Sequence, residues 1–117
     1  MFRVYVAGRY SGSDVIEILS NMRKGIELSV EVMRAGFCPY IPWLDFQIGL
    51  HVDFDVETYK RIGLEWVKVC HAVILVPNQE ISSGVRAEID MARNLGIPVF
   101  TTITDLLIWR EMATQGV

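Results

Sequence analysis

Five consecutive apolar residues, Ala72-Val73-Ile74-Leu75-Val76, run up to Pro77 without a polar interruption. A run this short and uniformly apolar, closed by a turn residue, reads as a strand covered on both faces, which is the habit of parallel sheets flanked by helices. The rest of the chain supplies the partners. Phe2-Arg3-Val4-Tyr5-Val6-Ala7 reads as a first buried strand that stops at Gly8, and Phe37-Cys38-Pro39-Tyr40-Ile41 as a second, placed at an edge by Pro39. Ile97-Pro98-Val99-Phe100-Thr101 reads as a fourth. Asp14 and Glu17 form a capping box, Asn21 offers a second start, and the stripe Met22, Ile26, Val30, Met33 predicts an amphipathic helix ending at Gly36. Tyr59, Ile62, Trp66 and Val69 predict a second helix over 57–70, and Val85, Ile89, Ala92 and Leu95 a third that stops at Gly96. Thr104-Asp105 begins a last short helix, while 42–56 shows no periodicity and is expected to be a loop. Strand and helix alternating in this way predict one α/β domain over 1–117, a three-layer flavodoxin/Rossmann-like fold with about four parallel strands and helices on both faces. In such sheets ligands collect at the carboxyl ends of the strands, so the loops after the first three strands are expected to converge on a site.

Composition narrows the function classes. With 51% hydrophobic and 21% charged residues in 117, and a net charge of -3, disorder is excluded as the default. No apolar run approaches the roughly 20 residues of a bilayer span, and the N-terminus lacks an apolar h-region and a cleavage site. The expectation is a cytoplasmic protein without a membrane partner. The absence of a Lys/Arg stripe argues against a nucleic acid polymer, although a single nucleotide needs only a few donors. Cys38 and Cys70 are expected to be buried thiols outside any disulfide framework.

The most informative segment is Ser82-Ser83-Gly84-Val85-Arg86-Ala87-Glu88. Ser83 is the expected N-cap, Gly84 lets a ligand approach the backbone, and the free N-H groups of the first turn form an anion site. On a helical wheel Glu88 falls within roughly 60° of Val85, Met91 and Ala92, on the inward arc. It is either a carboxylate aimed into the cleft, able to attack an electrophilic carbon, or a structural partner of a backbone N-H or of Arg9. Gly8-Arg9-Tyr10-Ser11-Gly12 is either a phosphate cradle or a glycine turn, and it lacks dinucleotide and triphosphate spacing. Tyr5 is either core or a hydroxyl reaching a ligand. Asp45, His51, Asp53 and Asp55 match no metal motif, so neither a metal nor another cofactor is expected. Trp43, Phe46 and Phe54 suit a lid or a subunit contact, His71 a helix C-terminus favoured by the dipole, and Trp66 and Trp109 core or interface positions.

Taken in order, VYVAGRYSG, the helix from Asn21 to Gly36, the P-x-x-P of Pro39 and Pro42, Cys70 before AVILV, S-x-G-x-x-x-E and A-x-x-x-G-x-P-V-F resemble the nucleoside 2-deoxyribosyltransferase-like superfamily, particularly its short bacterial and phage members of unassigned function. The resemblance spans nearly the whole chain. It implies that Glu88 is a nucleophile at the anomeric carbon of a (deoxy)ribosyl N-glycoside, with Tyr5 beside it. Ser82, where base-exchanging relatives carry aspartate, implies a nucleoside 5'-monophosphate, held with Gly8, Arg9, Ser11, Gly12 and Gly84. Where the family carries an aspartate that assists the base, this chain has Gly63 or its neighbours, with Glu65 the nearest carboxylate and Asp45 another candidate. His71 replaces a second aspartate, and the family's fifth strand is not expected before Val117. The resemblance thus implies N-glycosidic cleavage or (deoxy)ribosyl transfer on a nucleoside or nucleotide. Its alternative is a catalytically silent nucleotide-binding or oligomeric interaction module. A homo-oligomer, dimer or tetramer, is expected in either case.

Overall fold

The computed structural model describes residues 1–115, so that Gly116 and Val117 of the expected domain lie outside the described residues. The elements follow in the order β1 (Arg3–Ala7), α1 (Val15–Arg34), β2 (Cys38–Tyr40), a 3-10 stretch (Pro42–Leu50), α2 (Val56–Val69), β3 (Ala72–Leu75), α3 (Ser83–Asn94), β4 (Val99–Phe100) and α4 (Ile103–Gln115). The four strands form one sheet in the order β2-β1-β3-β4, with every pairing parallel. The fold is the three-layer α/β arrangement expected from the alternation of elements, and Pro39 sits in the edge strand. Strand order reverses between the central pair β1 and β3, which directs a ligand site toward their carboxyl ends.

The two faces of the sheet separate two cores, as the period-2 alternation of a strand requires. On one face Val4, Val6, Ala72 and Ile74 pack with Leu28 and Val32 of α1, Leu106 of α4 and Trp43. On the other, Tyr5, Ala7 and Val73 pack with Val67 of α2 and with Val85, Ile89 and Ala92 of α3. Trp109 joins the first core at its rim, its ring 4.9 Å from that of Phe2. Among the described residues no helix is long and apolar enough to cross a membrane.

Several expected placements are corrected. In α1 the buried positions are Asn21, Gly25, Leu28, Ser29 and Val32, whereas Val30 and Met33 of the expected stripe face outward and Met22 and Ile26 are half-buried. The cause is Trp43. This residue, expected in a lid, is 2% exposed and lies flat against the helix, so that a Cβ on Gly25 would come within 2.5 Å of its ring. Small residues on α1 admit the indole beside Leu28 and Val32, Met22 and Ile26 touch the core at its edge, and Val30 and Met33 point outward. The 42–56 loop is accordingly part helical, and Phe46 and Phe54 stay exposed. In α2 the helix buries Gly63 and Val67 while Ile62, Trp66 and Val69 are exposed, so Trp66 is not core. Leu95 is exposed at the end of α3. Cys38 is exposed on the edge strand, and only Cys70 is buried, its thiol pushed up to about 11 mainly by burial. His71 caps no helix as a cation. Its Nδ1 accepts the backbone N-H of Arg3 at 2.9 Å, and burial with nearby positive charge lowers its pKa.

Candidate functional site

Tyr5 and Tyr40 are register partners on adjacent strands, so both side chains rise from the same face of the sheet, their rings stacked at 5.3 Å. Trp66 of α2 stacks on the outer face of Tyr40 at 5.2 Å, extending the aromatic ladder to the surface. At its inner end the Tyr5 hydroxyl donates a hydrogen bond to Glu88 Oε2. Glu88 stands in the second turn of α3, on the side that packs against α2 and the sheet, as its position on the wheel predicts. The carboxylate therefore has a buried phenol as its partner. Arg9 makes no bond to Glu88; its guanidinium lies 3.5 Å from the exposed Glu80.

Gly63 explains how the pair fits under α2. A Cβ there would lie 2.8 Å from Tyr5 Oη and 3.5 Å from Glu88 Oε2, so a side chain at this position would displace the bonded pair. Burial pushes the Glu88 carboxyl up to about 7, opposed by the hydrogen bond from Tyr5. Burial, then the Glu88 charge, pushes the Tyr5 phenol far above its ordinary value, so it stays a donor. Tyr40 is pushed up to about 12, chiefly by burial and next by Asp45. Asp45 is itself raised by burial. Glu65, the other expected substitute for a family aspartate, points to solvent and pairs with Lys68 at 3.0 Å.

The expected phosphate contacts divide between two places. At the start of α3 the N-cap is Ser82, not Ser83: its Oγ accepts the Val85 N-H at 3.2 Å. The first turn carries no acidic residue, and Lys60 Nζ reaches Ser83 Oγ at 3.3 Å while its stem passes Gly84. Lys60 escaped the sequence reading because nothing in the spacing of α2 marks it as facing α3. Lys60 Nζ also lies 3.7 Å from Glu57, so its charge is shared between that carboxylate and this helix start.

The loop after β1 is a different environment. Gly8 and Arg9 line a cleft of about 290 Å³ together with Val76, Asn78, Ile81 and Thr101, beside the carboxyl ends of β1 and β3. Tyr5 and Glu88 are not in its wall, although Val85, one helical turn before Glu88, is. Arg9 N-H donates to Gln79 at 2.9 Å, the Arg9 carbonyl accepts from Trp43 at 3.1 Å, and the Ser11 carbonyl accepts from Asn21 at 3.1 Å. Gly12 packs on Glu17, which also receives the Ser13 hydroxyl at 2.8 Å, and Asp14 caps α1. Two carboxylates thus already occupy the positive end of α1. An anion is better placed at α3.

Among the described residues no group of three or more His, Cys, Asp or Glu side chains is placed to share a metal ion. Asp55 caps α2 through Thr58, which lowers its pKa. The chemistry available is that of one partly buried carboxyl, its phenol donor, an aromatic ladder, and a helix start free of acidic residues, with Lys60 beside it, one to two turns away. The chain belongs to a family described as a domain of unknown function (DUF7768), whose model matches residues 2–102. No curated protein matches the chain.

Proposed function

We propose, for this member of the DUF7768 family, cleavage of the N-glycosidic bond of a nucleoside 5'-monophosphate or nucleoside, with Glu88 as nucleophile. The observation that supports it most is the Tyr5–Glu88 pair: a carboxyl near neutrality, oriented by a phenol, on the inner side of a helix whose start is free of acidic residues. In this reading the ionised Glu88 attacks C1′ while the C1′–N bond breaks and its electron pair leaves with the base. The base takes up a proton. Water then attacks C1′, frees the sugar and returns Glu88 as a carboxylate; transfer to a second base is the same step with nitrogen in place of water. Developing positive charge on the sugar is stabilised by the adjacent carboxylate. Tyr5 positions Glu88; Ser82, Gly84 and Lys60 receive the phosphate; and the outer face of Trp66, the exposed end of the aromatic ladder, offers a flat surface to the base.

One observation favours a second reading. Gly63 leaves no carboxyl opposite the pair and Glu65 is in solvent, so assistance to the leaving base is reduced, and such assistance is typically worth about 10²–10⁴-fold. A cleft that binds nucleotide without turning it over is the corresponding alternative. Incubation with a panel of ribo- and deoxyribonucleosides and their 5'-monophosphates, with free base followed by chromatography, separates the two. Base release that Glu88→Ala abolishes supports the glycosidase; a rise in melting temperature with monophosphate and no release supports the binding module. Neither effect from any member of the panel overturns both.

A further inference from the structure

The cleft beside the carboxyl ends of β1 and β3 holds neither Tyr5 nor Glu88 in its wall, yet it stands where the strand order reverses, the place at which sheets of this kind take up ligands. Its buried wall is apolar, made of Ala7, Val76 and Val85. Two opposite charges line it as well. Arg9 comes from the loop after β1 and Glu80 from the loop after β3, and their charged groups meet at 3.5 Å. The Glu80 side chain is 92% exposed and that of Arg9 32%, so this bridge is a solvent contact of the kind that is worth little and readily exchanged. The backbone around it is held more firmly. Arg9 N-H donates to Gln79 Oε1 at 2.9 Å, Trp43 Nε1 donates to the Arg9 carbonyl at 3.1 Å, and Gln79 Nε2 donates to Asn21 Oδ1 at 3.4 Å. Gly8 lets the loop close on Val76, since a Cβ there would lie 2.5 Å from that side chain, and Asn78, with a φ of 60°, turns the chain after Pro77. The cleft is thus preformed, and its two charged heads are the parts left to exchange partners.

We propose that this cleft binds a free α-amino acid with an aliphatic side chain. The zwitterion offers Arg9 a carboxylate and Glu80 an ammonium group, each a charge-assisted contact, while the aliphatic side chain lies against Ala7, Val76 and Val85. Ligands of a single charge fit less well. An anion meets the Glu80 carboxylate beside Arg9, and a cation meets the guanidinium beside Glu80. The volume, about 290 Å³, stands at the lower end of the roughly 300–1,000 Å³ of small-molecule pockets, which favours a ligand of amino-acid size over a nucleotide. The nucleoside monophosphate is assigned to the start of α3, so the amino-acid site stands or falls apart from the proposed glycosidase.

Isothermal titration calorimetry of the full chain with leucine, valine, isoleucine, glycine, N-acetyl-leucine and leucinamide tests it. Leucine is expected to bind, and glycine, which lacks the side chain, and the two derivatives, which each lack one charge, to bind at least about tenfold more weakly. Two variants assign the ends of the ligand. Glu80→Gln is expected to weaken leucine and to abolish its advantage over N-acetyl-leucine, and Arg9→Gln to abolish its advantage over leucinamide. Both side chains reach solvent, and circular dichroism checks that each variant is folded. Glu88→Ala is expected to bind leucine as the wild type does. No binding of leucine, valine or isoleucine, equal binding of glycine or of either derivative, a preference that survives both Glu80→Gln and Arg9→Gln, or a leucine signal lost in Glu88→Ala overturns the proposal.

Discussion

The side chain of Glu88 is ionised over part of the physiological range because burial and a hydrogen bond act on it in opposite directions. Burial disfavours its charge and carries its pKa to about 7, while the Tyr5 hydroxyl favours the charge and holds it from going higher. If the carboxylate is the nucleophile, kcat/KM rises about tenfold per pH unit below that value and levels above it. Tyr5→Phe removes the opposing influence, so the inflection moves to higher pH, which a pH–rate profile of the two proteins detects. Gly63 is the second determinant at this scale. Gly63→Ala gains about 1 kcal/mol of helix propensity but forces a methyl against Tyr5 Oη, and overpacking costs about 1–3 kcal/mol, so urea denaturation is expected to show a net loss. The inward arc of Glu88 was legible from the wheel because Val85, Ile89 and Ala92 frame it. Its partner was not, since a strand tyrosine reads equally as core until the register with Tyr40 and the glycine above it are known.

Among the elements, the start of α3 has a double task. Ser82 caps the helix, and the same turn is where Lys60 leans over Gly84. The two tasks separate by substitution. Ser82→Ala removes the cap and lowers stability by about 1 kcal/mol, whereas Ser82→Asp keeps a good cap yet sets a carboxylate where the phosphate is proposed to bind. Thermal denaturation is expected to show Ser82→Asp at or above Ser82→Ala in stability, with the shift from added nucleoside monophosphate lost; an undiminished shift would move the phosphate elsewhere. The helices themselves were readable from their apolar periodicity; of their caps Asp14 was legible, whereas Asp55, weighed only against metal motifs, caps α2, and Ser82 rather than Ser83 caps α3. Their facing was less so. Apolar periodicity names a stripe but not whether it meets the sheet: in both α1 and α2 a glycine pressed against a ring or a phenol took part of the inward side, which left Val30 and Met33 of α1 and Ile62, Trp66 and Val69 of α2 exposed.

At the scale of the whole molecule, a short parallel sheet is covered by α1 and α4 on one face and by α2 and α3 on the other, and the candidate site lies wholly on the second. The run Ala72 to Leu75 announced this architecture because a strand without a polar side has to be covered twice. Which face would carry the chemistry could not be read in the same way: Lys60, Tyr40 and Glu88 are brought together by crossovers, and no local spacing encodes that. The most direct test is the rate of free-base release from a nucleoside 5'-monophosphate by the wild type and by Glu88→Gln, which keeps the shape and the bond to Tyr5 but not the charge. The glycosidase reading expects wild-type release that falls by at least about 10³-fold in the variant. Release at an equal rate from both proteins would contradict it.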